Sequence, residues 1–301
     1  MTETRIRLTI LGGYLGSGKT TWLRHQLHVG ARPYVIVNEA AEMPVDDLLL
    51  AGANALTVLA GGCACCTGLP ALIGTLRQLC DDRSAGAQIL DIILETSGLA
   101  DPGAIAVAIQ GDPVLTHHLR LSQIIVLVDA TYALAQLATD PLGRAQISAA
   151  DHLILTKIQS PDLARVQATL RHLNPVATLS ATEFGSPVTL PPIPANTLPL
   201  TEFGTDMPPI QAVKLGLPDI DWAVLSLWLS ALLHVHGDRL VRVKGSVQTP
   251  AGRLLIQAVR RTVQPPEVLP ASAEPGALVF IGHGINRDQL AGSLARFTYA
   301  P

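Results

Sequence analysis

The 301-residue chain predicts an α/β fold: a mostly parallel sheet with helices on both faces, followed by a smaller α+β domain. Three observations carry this. Short apolar runs rich in branched residues alternate with helix-length stretches up to residue 155, which is the pattern of strands buried on both faces. A glycine-rich segment separates the first run from the first helical pattern, and the composition changes after Pro175.

The elements follow in order. Arg7 to Leu11 reads as a strand and Thr20 to His28 as a helix, giving strand, loop, helix. Further strand-like runs are Tyr34 to Val37, Ala55 to Leu59, Ile89 to Leu94, Ile124 to Val128 and His152 to Leu155. Residues 186–209 hold seven prolines, each of which removes a backbone donor and restricts its predecessor, so this stretch reads as a linker between 1–185 and 210–301. Beyond it Asp221 can cap a helix from Trp222 to about Leu233. Arg239 to Val247, Arg253 to Val259 and Ala277 to Ile281 read as strands, and Arg287 to Phe297 as a final helix.

Composition narrows the function. At 48% hydrophobic and a net charge of −3 the chain can bury enough surface to fold, which excludes disorder. It has no excess positive charge to neutralise a nucleic-acid backbone. Its longest apolar runs fall short of the roughly 20 residues of a membrane span, and the N-terminal run is too short for a signal-peptide core, so a cytoplasmic protein is expected. Only 15% of residues are charged, which leaves apolar surface for a partner or for a second copy in a homodimer. Cys63, Cys65 and Cys66 crowd together with Cys80 as the one distant thiol, an arrangement suited to a metal or redox site rather than a disulfide framework.

Gly13-Tyr14-Leu15-Gly16-Ser17-Gly18-Lys19-Thr20 fits G-x-x-x-x-G-K-[ST] in the strand-to-helix context the motif requires. Such a loop wraps phosphates with backbone N–H groups, its lysine reaches the β- and γ-phosphates, and its Thr20 hydroxyl can ligate Mg²⁺. Only four lysines occur against 17 arginines, and one of them is Lys19. The run ending Leu94 leads into Glu95-Thr96-Ser97-Gly98, which places a carboxylate at a buried strand tip. There Glu95 can hold Mg²⁺ and order an attacking water, and the Gly98 N–H can sense a γ-phosphate. Cys63, Cys65 and Cys66 offer soft thiolates to Zn²⁺, Cu(I) or Co²⁺, and three sulfurs leave a tetrahedral site one ligand short, as suits an ion that must be given away.

GYLGSGKT, VNEAAE, GGCACC, ETSGLADP, LVDA (127–130), RVKG (242–245) and LVFIGHGIN (278–286), in this order, resemble the CobW-type subfamily of P-loop GTPases, relatives of the UreG and HypB metal-insertion GTPases. The resemblance spans nearly the whole chain. It implies GTP and Mg²⁺ as cofactors and contacts to phosphate from Gly16 through Thr21. It further implies a Zn²⁺ or Co²⁺ site at Cys63, Cys65 and Cys66, a switch glutamate (Glu39 or Glu42) assisting Mg²⁺ or the transferred metal, delivery to a client metalloprotein, and a CobW-type C-terminal domain.

Two departures from the family pattern stand out. Guanine-specific relatives carry N-K-x-D, whose Asp accepts two hydrogen bonds from the base; here the segment is Thr156-Lys157-Ile158-Gln159, and Gln159 has one acceptor and one donor. The expectation is GTP, with selectivity either relaxed toward ATP or restored by another carboxylate such as Asp162. The histidine-rich segment of many relatives is also absent, leaving His117-His118 and His234/His236 as the close pairs. The expected activity is GTP hydrolysis, slow without a partner because no arginine finger is evident in the loop or switches. The competing readings are an ATP-using or dual-specificity NTPase, and a small-molecule kinase with structural cysteines.

Overall fold

The computed structural model describes residues 5–30, 32–38, 55–59, 68–201, 210–217, 220–237, 239–250, 252–259, 261–263, 266–271 and 275–298. The first part of the chain runs β1 (Ile6–Gly13), α1 (Lys19–His28), β2 (Tyr34–Asn38), β3 (Ala55–Leu59), α2 (Leu69–Ser84), β4 (Asp91–Glu95), α3 (Pro102–Gln110), α4 (Pro113–His118) and β5 (Leu119–Asp129). It continues through α5 (Ala133–Thr139), α6 (Pro141–Ala149), β6 (His152–Thr156), α7 (Leu163–Leu173), β7 (Thr178–Glu183) and β8 (Ser186–Val188). These strands form one sheet in the order β3-β2-β4-β1-β5-β6-β7-β8, parallel except for the β7–β8 hairpin.

The strand alternation divides two cores. Ile10, Ile36, Ile124, Val126 and Leu153 point to one face, where they pack with Leu72 and Leu76 of α2 and Leu170 of α7. Their neighbours Leu11, Val35, Val37, Ile125, Leu127 and Ile154 point to the other and meet Leu23 and Leu27 of α1. Three helices begin at an Asp-Pro pair. Asp101, Asp112 and Asp140 each accept from backbone N–H groups of the first turn of α3, α4 and α6, while the following proline needs no donor.

The second part builds β9 (Ile210–Gly216), α8 (Trp222–His236), β10 (Leu240–Thr249), β11 (Gly252–Val259), β12 (Thr262–Val263), β13 (Glu267–Leu269), β14 (Ala277–His283) and α9 (Arg287–Thr298). Its sheet is antiparallel, β12-β11-β10-β14-β9 with β13 beside β11. Asp221 caps α8 by accepting from Ala223 N and Val224 N, as the sequence predicts. Trp228 and Phe280 meet edge to face in this part's own core.

Where the sequence reads a linker from 186 onward, the described structure is more attached. β8 pairs with β7, Gln167 Nε2 donates to Pro191 O, and Leu200 N donates to Thr169 Oγ1. Prolines are compatible with this because β8 lies at the sheet edge, where a missing N–H costs nothing.

The two parts share an interface. Val241, Val259 and Ile281 of the antiparallel sheet join the larger core of the parallel one. Within it lies Arg242, 1% exposed, which donates to Ala149 O (2.8 Å) and to Asp151. Lys244 reaches the same carboxylate at 3.3 Å, so the RVKG run is the polar half of this joint. Arg242→Ala would leave the Ala149 carbonyl without its side-chain donor and Asp151 with only Lys244 and the Ile124 N–H, and it is expected to lower stability by about 1–3 kcal/mol. Urea unfolding checks this; an unchanged midpoint would show that the joint contributes nothing to stability.

Candidate nucleotide site

β1 leads the chain into the glycine loop at Gly13, where only glycine fits: φ is +132° and a Cβ would lie 2.4 Å from Leu127 O. Lys19, the first residue of α1, is nearly buried and folds back over the loop, donating to Gly13 O (2.9 Å) and Tyr14 O (3.1 Å). Tyr14 turns outward and its hydroxyl donates to Asp140, the α6 cap; that hydrogen bond, and then burial, push its phenol pKa up. Ser17 Oγ is buried and carries no hydrogen bond among the described residues.

β4 lies next to β1 with Glu95 opposite Leu11, so the register sets the carboxylate at the mouth of the loop. Thr20 Oγ1 donates to Glu95 Oε1 at 2.6 Å, and Glu95 is 1% exposed. A hydroxyl and a carboxylate on adjacent elements are the oxygen donors a hard divalent cation takes. Gly98 follows close behind: a Cβ there would lie 2.5 Å from Leu15 N, so the backbone of the Glu95–Gly98 segment rests directly on the loop. Asp91, at the other end of β4, pairs with Arg7 instead and takes no part.

The third wall comes from the end of β6. Thr156 Oγ1 donates to Ser17 O (3.0 Å), and Lys157, in a left-handed conformation at φ +53°, donates to Gly16 O (3.1 Å) and to Asp129 Oδ2 (2.6 Å). Beyond them opens a cavity of about 740 Å³, lined by loop residues Gly16 and Gly18, by Thr21, Thr156, Lys157 and Gln159, and by the β7–β8 turn. This volume lies within the usual range for a small-molecule pocket. Asp162 is not among its lining residues; the carboxylate that is belongs to Glu183.

The glycine loop therefore has a buried strand-end carboxylate on one side and the cavity on the other, and residues 7–180, which hold most of both, match the nucleotide-binding domain described as CobW/HypB/UreG. The chain belongs to that family. Residues 218–298 match the cobalamin synthesis protein CobW C-terminal domain. Among similar proteins, the Zinc chaperone YjiA of Escherichia coli is 30% identical, the alignment covering 96% of this chain and 98% of the relative. The Zinc chaperone CobW of Pseudomonas aeruginosa is 29% identical over 97% of this chain and 92% of its own. A crystal structure of a Zn(II)-bound YjiA GTPase, a triple mutant with one glutamate and two cysteines changed to alanine, superposes with a TM-score of 0.70 at 26% identity. It covers 98% of this chain and 99% of the other.

Of the residues the sequence singles out, the structure brings together Gly13, Gly16, Ser17, Gly18, Lys19, Thr20, Glu95, Gly98, Thr156 and Lys157 around the loop, with Thr21 and Gln159 at the cavity. Cys63, Cys65, Cys66, Glu39 and Glu42 lie outside the described residues. Among the described residues no group of three His, Cys, Asp or Glu side chains is placed to hold a metal, and His117 and His118 meet ring edge to ring face. No described helix is long and apolar enough to cross a membrane. Three residues at the site carry no expectation from the sequence: Asp129, which holds Lys157, and Glu183 and Phe184 at the cavity rim. Asp129 sits inside the LVDA run, a signal visible in sequence; Glu183 gives none.

Two expectations follow. Gly98→Ala would drive a methyl into the backbone of Leu15, costing about 1–3 kcal/mol and weakening GDP binding by at least about tenfold, to be read by calorimetric titration. Native affinity in this variant would remove the contact from the site. Cys80 is 1% exposed on α2, and burial pushes its thiol up to about 11, so the thiol stays protonated at pH 7. Maleimide labelling at pH 7 is expected to spare Cys80 in the native protein and to modify it after denaturation, as peptide mass spectrometry would show.

Proposed function

We propose that this chain, a P-loop GTPase of the CobW family, binds zinc or cobalt as cargo at Cys63, Cys65 and Cys66 and delivers it to a client metalloprotein under control of its nucleotide state. The single observation that carries the hydrolytic part is the 2.6 Å contact between Thr20 and Glu95 at the mouth of the loop. It supplies the donor set of a Mg²⁺ site beside a cradle for phosphates.

In this reading the loop amides from Gly16 to Thr21 hold the phosphates, and Lys19 turns from its carbonyl partners toward the oxygens between the β- and γ-phosphates. Thr20 and Glu95 would hold Mg²⁺, which when bound draws charge from the phosphate oxygens and fits these hard donors. Glu95 also orients the water that attacks the γ-phosphorus, and the Gly98 N–H is aimed at the γ-phosphate from the segment resting on Leu15. The bond from the γ-phosphorus to the bridging oxygen breaks, leaving GDP and phosphate. Turnover is slow until a partner acts, since none of these groups is an arginine.

The cargo part rests on chemistry and kinship. Thiolates are soft ligands suited to these ions, three leave a position open for exchange, and two similar proteins aligned over more than nine-tenths of both chains bear the name zinc chaperone. Glu39 or Glu42, between the loop and the cysteines in sequence, would join the two sites when triphosphate is bound. Linkage then requires that each ligand strengthen the other by one and the same factor.

Titrating Zn²⁺ into the protein with and without a non-hydrolysable GTP analogue tests this. The analogue is expected to tighten zinc at least about tenfold, zinc to tighten the analogue equally, and Cys65→Ser to abolish both effects. Equal zinc affinity in the two states, or coupling that survives in Cys65→Ser, overturns the proposal.

A further inference from the structure

The base cavity lacks the aspartate that would ordinarily accept two hydrogen bonds from guanine, and Gln159 stands in its place. Gln159 is not alone. Its Nε2 donates to Glu183 Oε1 at 2.6 Å, across from the end of β6 to the end of β7, and both residues line the cavity. This bond settles the amide's orientation. With Nε2 committed to Glu183, Gln159 Oε1 is left as an acceptor, and Glu183 keeps its second oxygen; neither has another hydrogen bond among the described residues.

The mount of Glu183 is rigid. It is the last residue of β7, pairs with Ser186 across a two-residue turn, and is followed by Phe184 at φ +50° and Gly185 at φ +94°. A left-handed phenylalanine is uncommon and strained. The turn nevertheless holds because Gly185 packs on α1, where a Cβ would lie 2.2 Å from His25 Cβ, and because Ser186 Oγ and His25 Nε2 are 3.1 Å apart. The helix that starts in the phosphate loop therefore also fixes the carboxylate at the far rim of the cavity. Phe184 is left at that rim, 92% exposed as a residue.

We propose that Gln159 and Glu183 together replace the missing aspartate as the guanine reader of this chain, with Phe184 as the apolar cover of the base. Gln159 Oε1 accepts from N1–H and the second Glu183 oxygen from the 2-amino group. Adenine is rejected because it presents an unprotonated N1 to an acceptor, leaving both unpaired. The inference deepens the GTPase reading and rests on it.

Competition of GDP, ADP, IDP and XDP against a fluorescent guanine nucleotide tests it, in wild type, Glu183→Gln, Phe184→Ala and Asp162→Asn. Wild type is expected to prefer GDP over IDP, which lacks the 2-amino group, by about 10- to 100-fold, the strength of a hydrogen bond to a charged group. In Glu183→Gln the new amide oxygen accepts from Gln159 and its NH₂ faces the cavity, so GDP affinity falls by a similar factor while XDP, whose C2 carbonyl accepts, gains at least about tenfold. A merely structural Glu183 cannot produce that gain. Phe184→Ala is expected to weaken all four nucleotides alike, and Asp162→Asn to change none. Equal GDP and IDP affinity in wild type, which needs no variant to fold, overturns the inference, as does an unaltered preference in Glu183→Gln or its loss in Asp162→Asn. A wild type that prefers ADP overturns the GTPase reading itself, a result distinct from any of these.

Discussion

Everything near the nucleotide site depends on how closely backbone can approach backbone around the phosphate loop. Gly13 lies against Leu127 at a distance no Cβ tolerates, and Gly98 lies against Leu15 in the same way. From the third side Thr156 and Lys157 hold the carbonyls of Ser17 and Gly16. A loop whose carbonyls are engaged from outside turns its N–H groups inward, which is the polarity an anion needs. The loop is therefore shaped before a phosphate arrives, and the ordering entropy it would otherwise lose on binding has been spent in folding.

The side chains that achieve this depart from the N-K-x-D pattern expected at the end of β6. Thr156 holds the first position of the segment expected to read N-K-x-D, and its hydroxyl donates to the Ser17 carbonyl of the loop. Lys157 adopts a left-handed backbone, and the buried Asp129 fixes its ammonium. Three of the chain's four lysines, Lys19, Lys157 and Lys244, sit at the loop or at the joint between the two sheets. In a chain that otherwise prefers arginine, the compact ammonium is found where it donates to separate carbonyl or carboxylate oxygens rather than forking onto one carboxylate.

Much of this was legible in the sequence because it is local. The glycine loop, the strand-end Glu95 and the Asp221 cap each declare themselves within a few residues, and short branched runs locate the strands of a sheet buried on both faces. The Asp-Pro pairs that open α3, α4 and α6 are a signal of the same local kind, though no expectation was placed on them. What sequence could not supply is contact between distant segments. Glu183 is 24 residues from Gln159, so no motif joins them, and the Pro-rich stretch after 185 looked like free linker although its first residues form an edge strand. Arg242 likewise reads as one residue of a strand until the fold brings it 91 positions back to Asp151.

The position of Asp151 has a mechanical consequence. It immediately precedes β6, whose other end is Thr156, so a single straight strand of about 17 Å runs from the arginine of one sheet to the loop carbonyls of the other. The strand that lines the cavity at one end is thus the strand to which the antiparallel sheet is anchored at the other, so the two sheets share one structural member.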